Sequence, residues 1–205
     1  KCNNQLSKLG FNCAKSIIHL KDEYIEIENI ITNVGLPCFV KPNGAGSSYG
    51  ISKVNEKQQL LAAINNALDH DSKVIIESFV DGTEVSCGVY FDGANITSLP
   101  ITEIVSENVF FDYEAKYEGK SKETTPARIS EKLSLEIQNT TIDIYKRMRL
   151  SGICRVDYII QNDIPFIIEI NTIPGLSEES IIPQQLKVAN ISLSEIFDLC
   201  LSNIN

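Results

Sequence analysis

The sequence predicts an α+β fold of two lobes with mainly antiparallel sheets, and three observations predict it. Apolar segments of strand length occur in pairs around hairpin signals, at Asp92-Gly93 and at Gln161 to Asp163. Other segments carry apolar residues at helical spacing behind polar starts. The chain, at 205 residues with 43% hydrophobic content, is long enough to bury one large core or two small ones. It has no internal repeat or low-complexity tract, and its glycines and prolines act as local punctuation.

Cys2 to Leu9 reads as the end of a helix stopped at Gly10, and Glu26 to Val34 as a helix stopped at Gly35. Pro37 opens a strand through Cys38, Phe39 and Val40, after which a glycine- and serine-rich turn runs from Asn43 to Gly50. Asn55 with Gln58 resembles a capping box, and Leu60, Leu61, Ile64 and Leu68 follow at helical spacing. Val74 to Val80 and Val85 to Phe91 read as strands, with Ile96 to Val105 returning after the Asp92-Gly93 turn. Ser130 can cap a helix carrying Leu133, Ile137, Ile144, Tyr145 and Met148. Arg155 to Ile160 and Phe166 to Asn171 then form a last hairpin. The lobes are expected to meet near residue 84, giving units 1–84 and 85–205.

The balance of charge narrows the partners. With 18 basic residues against 27 acidic ones, a net charge of -9 argues against nonspecific binding to nucleic acid or an anionic membrane. A polyphosphate ligand would need a locally basic pocket or a metal ion. The longest apolar runs, such as Ile164 to Ile170, are too short to span a bilayer, and no segment reads as a signal peptide, so a cytoplasmic location is expected. The six cysteines lie without CxxC spacing and read as reduced structural residues. Lys1 stands where Met would begin a chain, inside what reads as a helix, which points to a processed or truncated polypeptide.

The last hairpin carries the clearest chemistry. If it is symmetric about Asp163, Asp157 faces Glu169 and Arg155 faces Asn171, all on one face, while Val156, Tyr158, Ile160, Phe166, Ile168 and Ile170 make the buried face. Two carboxylates opposed at about 5 Å repel by roughly 3 kcal/mol at an effective dielectric of about 20, which Arg155 offsets only in part. A bound cation would remove the conflict. Two carboxylates and an amide are hard oxygen donors, suited to Mg²⁺ or Mn²⁺ shared with phosphates rather than to zinc. The alternative is a solvated polar face with an ordinary salt bridge.

The segment from Lys41 to Gly50 puts a lysine at a strand end, before a turn with the hydroxyls of Ser47 and Ser48. Such a turn can close over phosphate oxygens while Lys41 supplies charge, although taken alone it is also an ordinary hairpin. It is not a P-loop, because the lysine precedes the glycines. The polar stretch from Phe110 to Pro126, with Tyr113, Lys116 and Tyr117 inside it, reads either as a lid that brings Lys116 to a phosphate or as a solvated loop. Glu77 and Glu84 flank Asp81-Gly82, as hinge residues of a nucleotide site or as edge charges.

Taken together, six segments resemble the D-alanine–D-alanine ligase family of the ATP-grasp superfamily over nearly the whole chain. They are Phe39-Val40-Lys41-Pro42, Gly46-Ser47-Ser48-x-Gly50, Glu77 with Gly82-Thr83-Glu84, Asp112 to Tyr117, Gly152-x-x-Arg155-x-Asp157, and Glu169-x-Asn171-Thr172-x-Pro174-Gly175. The resemblance implies an ATP-grasp fold with the nucleotide between two lobes. It implies that Lys41 and Lys116 contact ATP phosphates, that Ser47 and Ser48 lie in the closing loop, and that Glu84 holds the ribose. Glu77 and the backbone near Val80 would recognise adenine, with Phe110 lining its pocket. Asp157, Glu169 and Asn171 match the magnesium ligands, two Mg²⁺ or Mn²⁺ ions being expected.

In the chemistry this implies, ATP phosphorylates the carboxylate of one D-alanine and the amine of a second attacks the acyl phosphate, in peptidoglycan precursor synthesis. Arg155 and the backbone near Gly175 would stabilise the oxyanion. Ser180 would receive the acceptor's carboxylate, and Tyr117 and Ser47 would order the lid and the substrate amine. The partners implied are ATP and D-alanine, with a homodimer expected of the longer protein.

The chain departs from the family pattern at Ala45, where a glutamate is common, at Ser78 for a lysine, and at Glu179 for a histidine. The family's preceding domain, which brings a glutamate and a further lysine, is not among these residues, so weak ATP binding and little turnover are expected of this polypeptide alone. The competing readings are a ligase for another pair, such as D-alanine with D-lactate or D-serine, and a nucleotide-binding module without turnover.

Overall fold

A computed structural model describes residues 2–44, 50–106 and 121–202, which divide into two compact units. Of the described residues, the first unit takes 13–80, and the second joins 2–12 to 81–106 and 121–202. The N-terminal helix α1 (Cys2–Lys8) thus belongs to the second unit although it precedes the first in sequence.

The first unit is built from β1 (Ser16–Leu20), α2 (Ile27–Val34), β2 (Cys38–Pro42), β3 (Ser52–Val54), α3 (Lys57–Leu68) and β4 (Lys73–Ser78). Its antiparallel sheet runs β1-β4-β2-β3. Strand alternation sends Cys38, Val40, Val74 and Ile76 into one core with Ile30 and Val34 of α2 and Leu60, Ile64 and Leu68 of α3. Phe39 and Lys41 are left on the opposite face of β2, where Phe39 is in register with Glu77. The capping box at α3 lies one residue later than expected, on Glu56 and Gln59, and Gln59 also accepts from the Asn55 N–H at 2.9 Å. Leu61 points outward and is half exposed.

The second unit holds β5 (Thr83–Phe91), β6 (Ile96–Ser98), β7 (Thr102–Ser106), β8 (Ser121–Thr124), α4 (Glu131–Arg147), β9 (Cys154–Gln161), β10 (Ile164–Asn171), α5 (Ile181–Val188) and α6 (Leu193–Ser202). Its antiparallel sheet runs β10-β9-β5-β7-β8, with β6 also on β5. The single returning strand expected from Ile96 to Val105 is two strands, because Pro100 cannot donate to a ladder and the register against β5 slips by one residue there. Helix α4 starts at Ser130, whose Oγ accepts from the Leu133 N–H at 3.3 Å. It brings Thr141 Oγ1 within 2.7 Å of the hydroxyl of Tyr158, fully buried on β9. Burial pushes the Cys87 thiol up to about 12 and the Cys154 thiol up to about 11, as suits structural cysteines. Among the described residues no helix is long and apolar enough to cross a membrane.

A bidentate pair ties β7 to the segment before α4. Arg128 Nε and Nη2 each lie 2.8 Å from an oxygen of the buried Glu103 carboxylate. The hydrogen bonds from Arg128 hold that carboxyl below its usual range against the opposing effect of burial. A carboxyl lowered on folding stabilises the fold above its unfolded pKa of about 4.3, and that contribution fades as pH falls through the folded value. Arg128→Ala should therefore lower the urea midpoint at pH 7, with the gap to the parent protein closing below about pH 4. An equal gap at pH 7 and pH 3 would rule out the ion pair as its source.

Candidate functional site

The polar face of the second sheet is set by strand alternation. Ser86 on β5 stands opposite Asp157 on β9, and Asp157 stands opposite Glu169 on β10, so three oxygen-bearing side chains form one row. The next rung pairs Arg155 with Asn171. This is the opposition expected from sequence, although the hairpin reaches it differently. Its turn is the two-residue pair Asn162-Asp163, both at positive φ (52° and 60°), as a type I′ hairpin requires. That turn pairs Ile167 with Tyr158, and a bulge at Ile168 then shifts the register so that Glu169 meets Asp157. The buried residues of β10 are accordingly Pro165 and Ile167, and the expected inward places of Phe166 and Ile168 are corrected; both are only partly buried.

Asp157 is 5% exposed and held from both sides. Arg155 Nε and Nη2 donate to its two oxygens at 2.8 Å each, and Ser86 Oγ donates to Oδ1 at 2.5 Å. Arg155 Nη2 also lies 4.0 Å from Glu169 Oε1. Burial alone would lower the Arg155 pKa, but the Asp157 hydrogen bonds and the charges of Asp157, Glu169 and Glu123 outweigh it and hold the guanidinium above its usual value. Glu169 keeps about half of its side chain exposed. The Asn171 Oδ1 accepts from the Ile173 N–H at 3.1 Å, which fixes the amide orientation at the strand end. Among the described residues no three His, Cys, Asp or Glu gather as ligands. The expected set is two carboxylates and an amide oxygen, hard donors that fit Mg²⁺ or Mn²⁺.

Beyond β10, Gly175 and Ser180 come together. A Cβ on Gly175 would sit 2.8 Å from Ser180 Oγ, so the glycine permits the close approach. Ser180 is the N-cap residue of α5, and its hydroxyl shares a 2.8 Å hydrogen bond with Ser177. Helix α5 is fastened to the sheet by Gln185, which is fully buried. Its amide accepts from the Gly88 N–H at 3.0 Å and donates to the Ser86 carbonyl at 2.8 Å and Thr102 Oγ1 at 3.1 Å. Sequence reasoning missed Gln185, Ser86, Glu123 and Gln184. A lone polar residue in an apolar run gives no sign of its partner.

In the first unit, Lys41 and Glu77 meet as an ion pair at 2.5 Å, with Glu77 buried. The two residues expected at phosphate and adenine thus share one face of its sheet. Ser78, at the departure from lysine, donates its hydroxyl to the Val34 carbonyl at 2.7 Å. Val80 is buried at the end of this unit, and Glu84 lies on β5 in register with Ile159. Ala45, Ser47, Ser48, Phe110, Lys116 and Tyr117 lie outside the described residues.

The family model described as the D-ala D-ala ligase C-terminus matches residues 6–202. A curated D-alanine–D-alanine ligase of Flavobacterium johnsoniae is 52% identical over 192 residues, which are 94% of this chain and 59% of that protein. The ligase of the same name from Azobacteroides pseudotrichonymphae is 47% identical over 207 residues, covering 99% of this chain and 64% of its own length. Among solved structures, the VanG D-Ala:D-Ser ligase of Enterococcus faecalis superposes with TM-score 0.85 at 35% identity, covering 98% of this chain and 59% of that one. A D-alanine–D-alanine ligase of Bacillus anthracis gives 0.82 at 28% identity, covering 97% and 63%. The chain spans about three-fifths of the length of these relatives. With the ATP-grasp fold of its structural neighbours and a family match over nearly all of its length, this chain belongs to the D-alanine–D-alanine ligase family, of which it carries the C-terminal region.

Proposed function

We propose that the protein to which this chain belongs ligates two D-alanines to D-alanyl-D-alanine at the expense of ATP, in the cytoplasm and as a homodimer, for peptidoglycan precursor synthesis. The observation that carries the reading is the end of the β9–β10 hairpin. There Asp157 and Glu169 oppose each other beside Arg155 and Asn171, in a chain of this family.

In the proposed reaction, the carboxylate of the first D-alanine takes the γ-phosphoryl group of ATP, giving ADP and an acyl phosphate. The deprotonated amine of the second attacks the acyl carbon, and the C–O bond to phosphate breaks as the peptide bond forms. Lys41 and Lys116 balance the charge of the phosphates, and Glu77, Val80, Glu84 and Phe110 hold the nucleoside. Arg155 and the backbone at Gly175 stabilise the tetrahedral oxyanion, where preorganised donors act most strongly. Ser180 receives the carboxylate of the acceptor, while Ser47, Ser48 and Tyr117 order the loop and lid. Asp157, Glu169 and Asn171 would hold two Mg²⁺ or Mn²⁺ ions, which supply positive charge to the phosphate oxygens.

The test is phosphate release from ATP and magnesium, with and without D-alanine, by this chain and by the full-length protein. D-alanine-dependent release by the full-length protein is expected, and Glu169→Gln should reduce it about a hundredfold or more, since several kcal/mol of charge stabilisation goes with the metal. A full-length protein that binds no ATP would end this reading. D-serine as acceptor is a second reading, favoured by Glu179 in the place of a histidine and by the likeness to a D-Ala:D-Ser ligase. The mass of the dipeptide product separates the two.

A further inference from the structure

Glu123 on β8 is a partly buried carboxylate to which the ligase chemistry above gives no part. Burying a carboxylate is unfavourable unless it is paired or hydrogen-bonded. Its partner here is Gln184, whose Nε2 donates to Glu123 Oε2 and, at 2.9 Å, to the backbone carbonyl of Glu179. One amide nitrogen carries two hydrogens, so both bonds can form together. The residue whose carbonyl is held immediately precedes Ser180, the N-cap of α5.

The helix itself is already fixed. Gln185, the next residue along, makes three hydrogen bonds to β5 and β7. The bond from Glu123 through Gln184 therefore bears on the turn in front of the helix, where the Ser180 N–H bonds the Ser177 carbonyl at 2.8 Å. Burial raises the Glu123 pKa, and the Gln184 hydrogen bond and the charge of Arg155 pull it back in part, so the same carboxylate is coupled electrostatically to Arg155. Glu123 thus stands between the turn that carries Ser180 and the guanidinium on the carboxylate hairpin.

We propose that Glu123 is a positioning residue for the acceptor substrate: through Gln184 it holds the Glu179–Ser180 backbone in place and so sets how tightly the second amino acid binds. The proposal rests on the ligase reading, in which Ser180 meets the acceptor. It also accounts for how a chain with Glu179 in the family's histidine place can order this turn, since the backbone of residue 179 takes part rather than its side chain.

The test compares Glu123→Ala with Glu123→Gln in the full-length protein. Glu123→Ala should raise the half-saturating concentration of the acceptor about tenfold while that of ATP stays within about twofold, a selective loss of ground-state binding. Glu123→Gln keeps an oxygen that can accept from Gln184 and should return the acceptor value to within about twofold of the parent. A uniform loss in which ATP and acceptor are equally affected, or an Ala variant with an unchanged acceptor value, overturns the proposal. Amide hydrogen exchange gives a readout that needs no turnover. The Ser180 amide should exchange about tenfold faster in Glu123→Ala while those from Gln185 to Val188 keep their rates. Unchanged exchange at Ser180 overturns the tether even in a protein without ligase activity, whereas faster exchange there without D-alanine turnover counts against the ligase reading alone.

Discussion

Gly88→Ala is expected to destabilise the second unit by about 3 kcal/mol, the upper end of what overpacking a core costs and a large part of the roughly 5 to 15 kcal/mol typical of a folded domain. Its backbone has no need of glycine's conformational range, and an alanine in a strand interior would ordinarily be slightly stabilising. The cost comes from space. A Cβ at residue 88 would stand 2.6 Å from Gln185 Oε1, 2.7 Å from Ile182 Cδ1 and 2.7 Å from Leu99 Cδ1. Ile182 and Leu99 are buried in one apolar cluster, and Gln185 cannot retreat without giving up its bonds to Gly88, Ser86 and Thr102, each worth about 1 kcal/mol. Urea unfolding should show a lowered midpoint with an unchanged slope, and Gln185→Ala placed in the Gly88→Ala background should recover part of the loss by opening room. An unfolding free energy within about 0.5 kcal/mol of the parent's would mean that α5 is not seated on β5 in this way.

That contact could not have been found from the sequence, whereas the carboxylate opposition could, and the difference lies in the range of the signal. Alternation along a strand is local, so Arg155 shares a face with Asp157 and Glu169 shares one with Asn171; the two pairs come to one face only in a register that sets Asp157 opposite Glu169, as a hairpin symmetric about Asp163 does. The register at the site was reached by two deviations that cancel. The Asn162-Asp163 turn is one residue tighter than a hairpin symmetric about Asp163, and the bulge at Ile168 restores the offset. Only the residues between turn and bulge carry the error, which is why Ile167 rather than Ile168 fills the core. The caps were legible to within a residue, at Ser130 and at Glu56 beside the expected Asn55. β1 and β3 were not, because five and three residues are too short to set up a period against their surroundings. The bonds of Gln185 to β5 and of Glu123 to Gln184 join residues 97 to 99 and 61 positions apart. No local pattern reports a partner at that distance, and a buried glutamine in an amphipathic helix looks like one more polar position.

Arg155 stands at the meeting of fold and chemistry, and substitution can separate its two parts. Arg155→Met keeps the bulk of the side chain and removes the fork that holds both oxygens of Asp157, leaving a 5% exposed carboxylate bonded by Ser86 Oγ at Oδ1. Breaking a buried pair from one side costs about 3 to 5 kcal/mol, because the partner charge stays desolvated. Adding Asp157→Asn removes that charge while an amide oxygen still accepts from Ser86, so the double variant should regain about 2 kcal/mol in urea unfolding over Arg155→Met alone. Turnover should behave in the opposite way. If Arg155 supplies the donor that stabilises the oxyanion, its loss should slow ligation in the full-length protein about a hundredfold to a thousandfold, and Asp157→Asn, which would also weaken the oxygen set proposed for the metal, is not expected to restore it. A rate loss in Arg155→Met well beyond that of Asp157→Asn alone would assign the guanidinium a direct part in the reaction. Equal losses in the two single variants would reduce Arg155 to a counterion for Asp157 and leave the oxyanion to the backbone at Gly175.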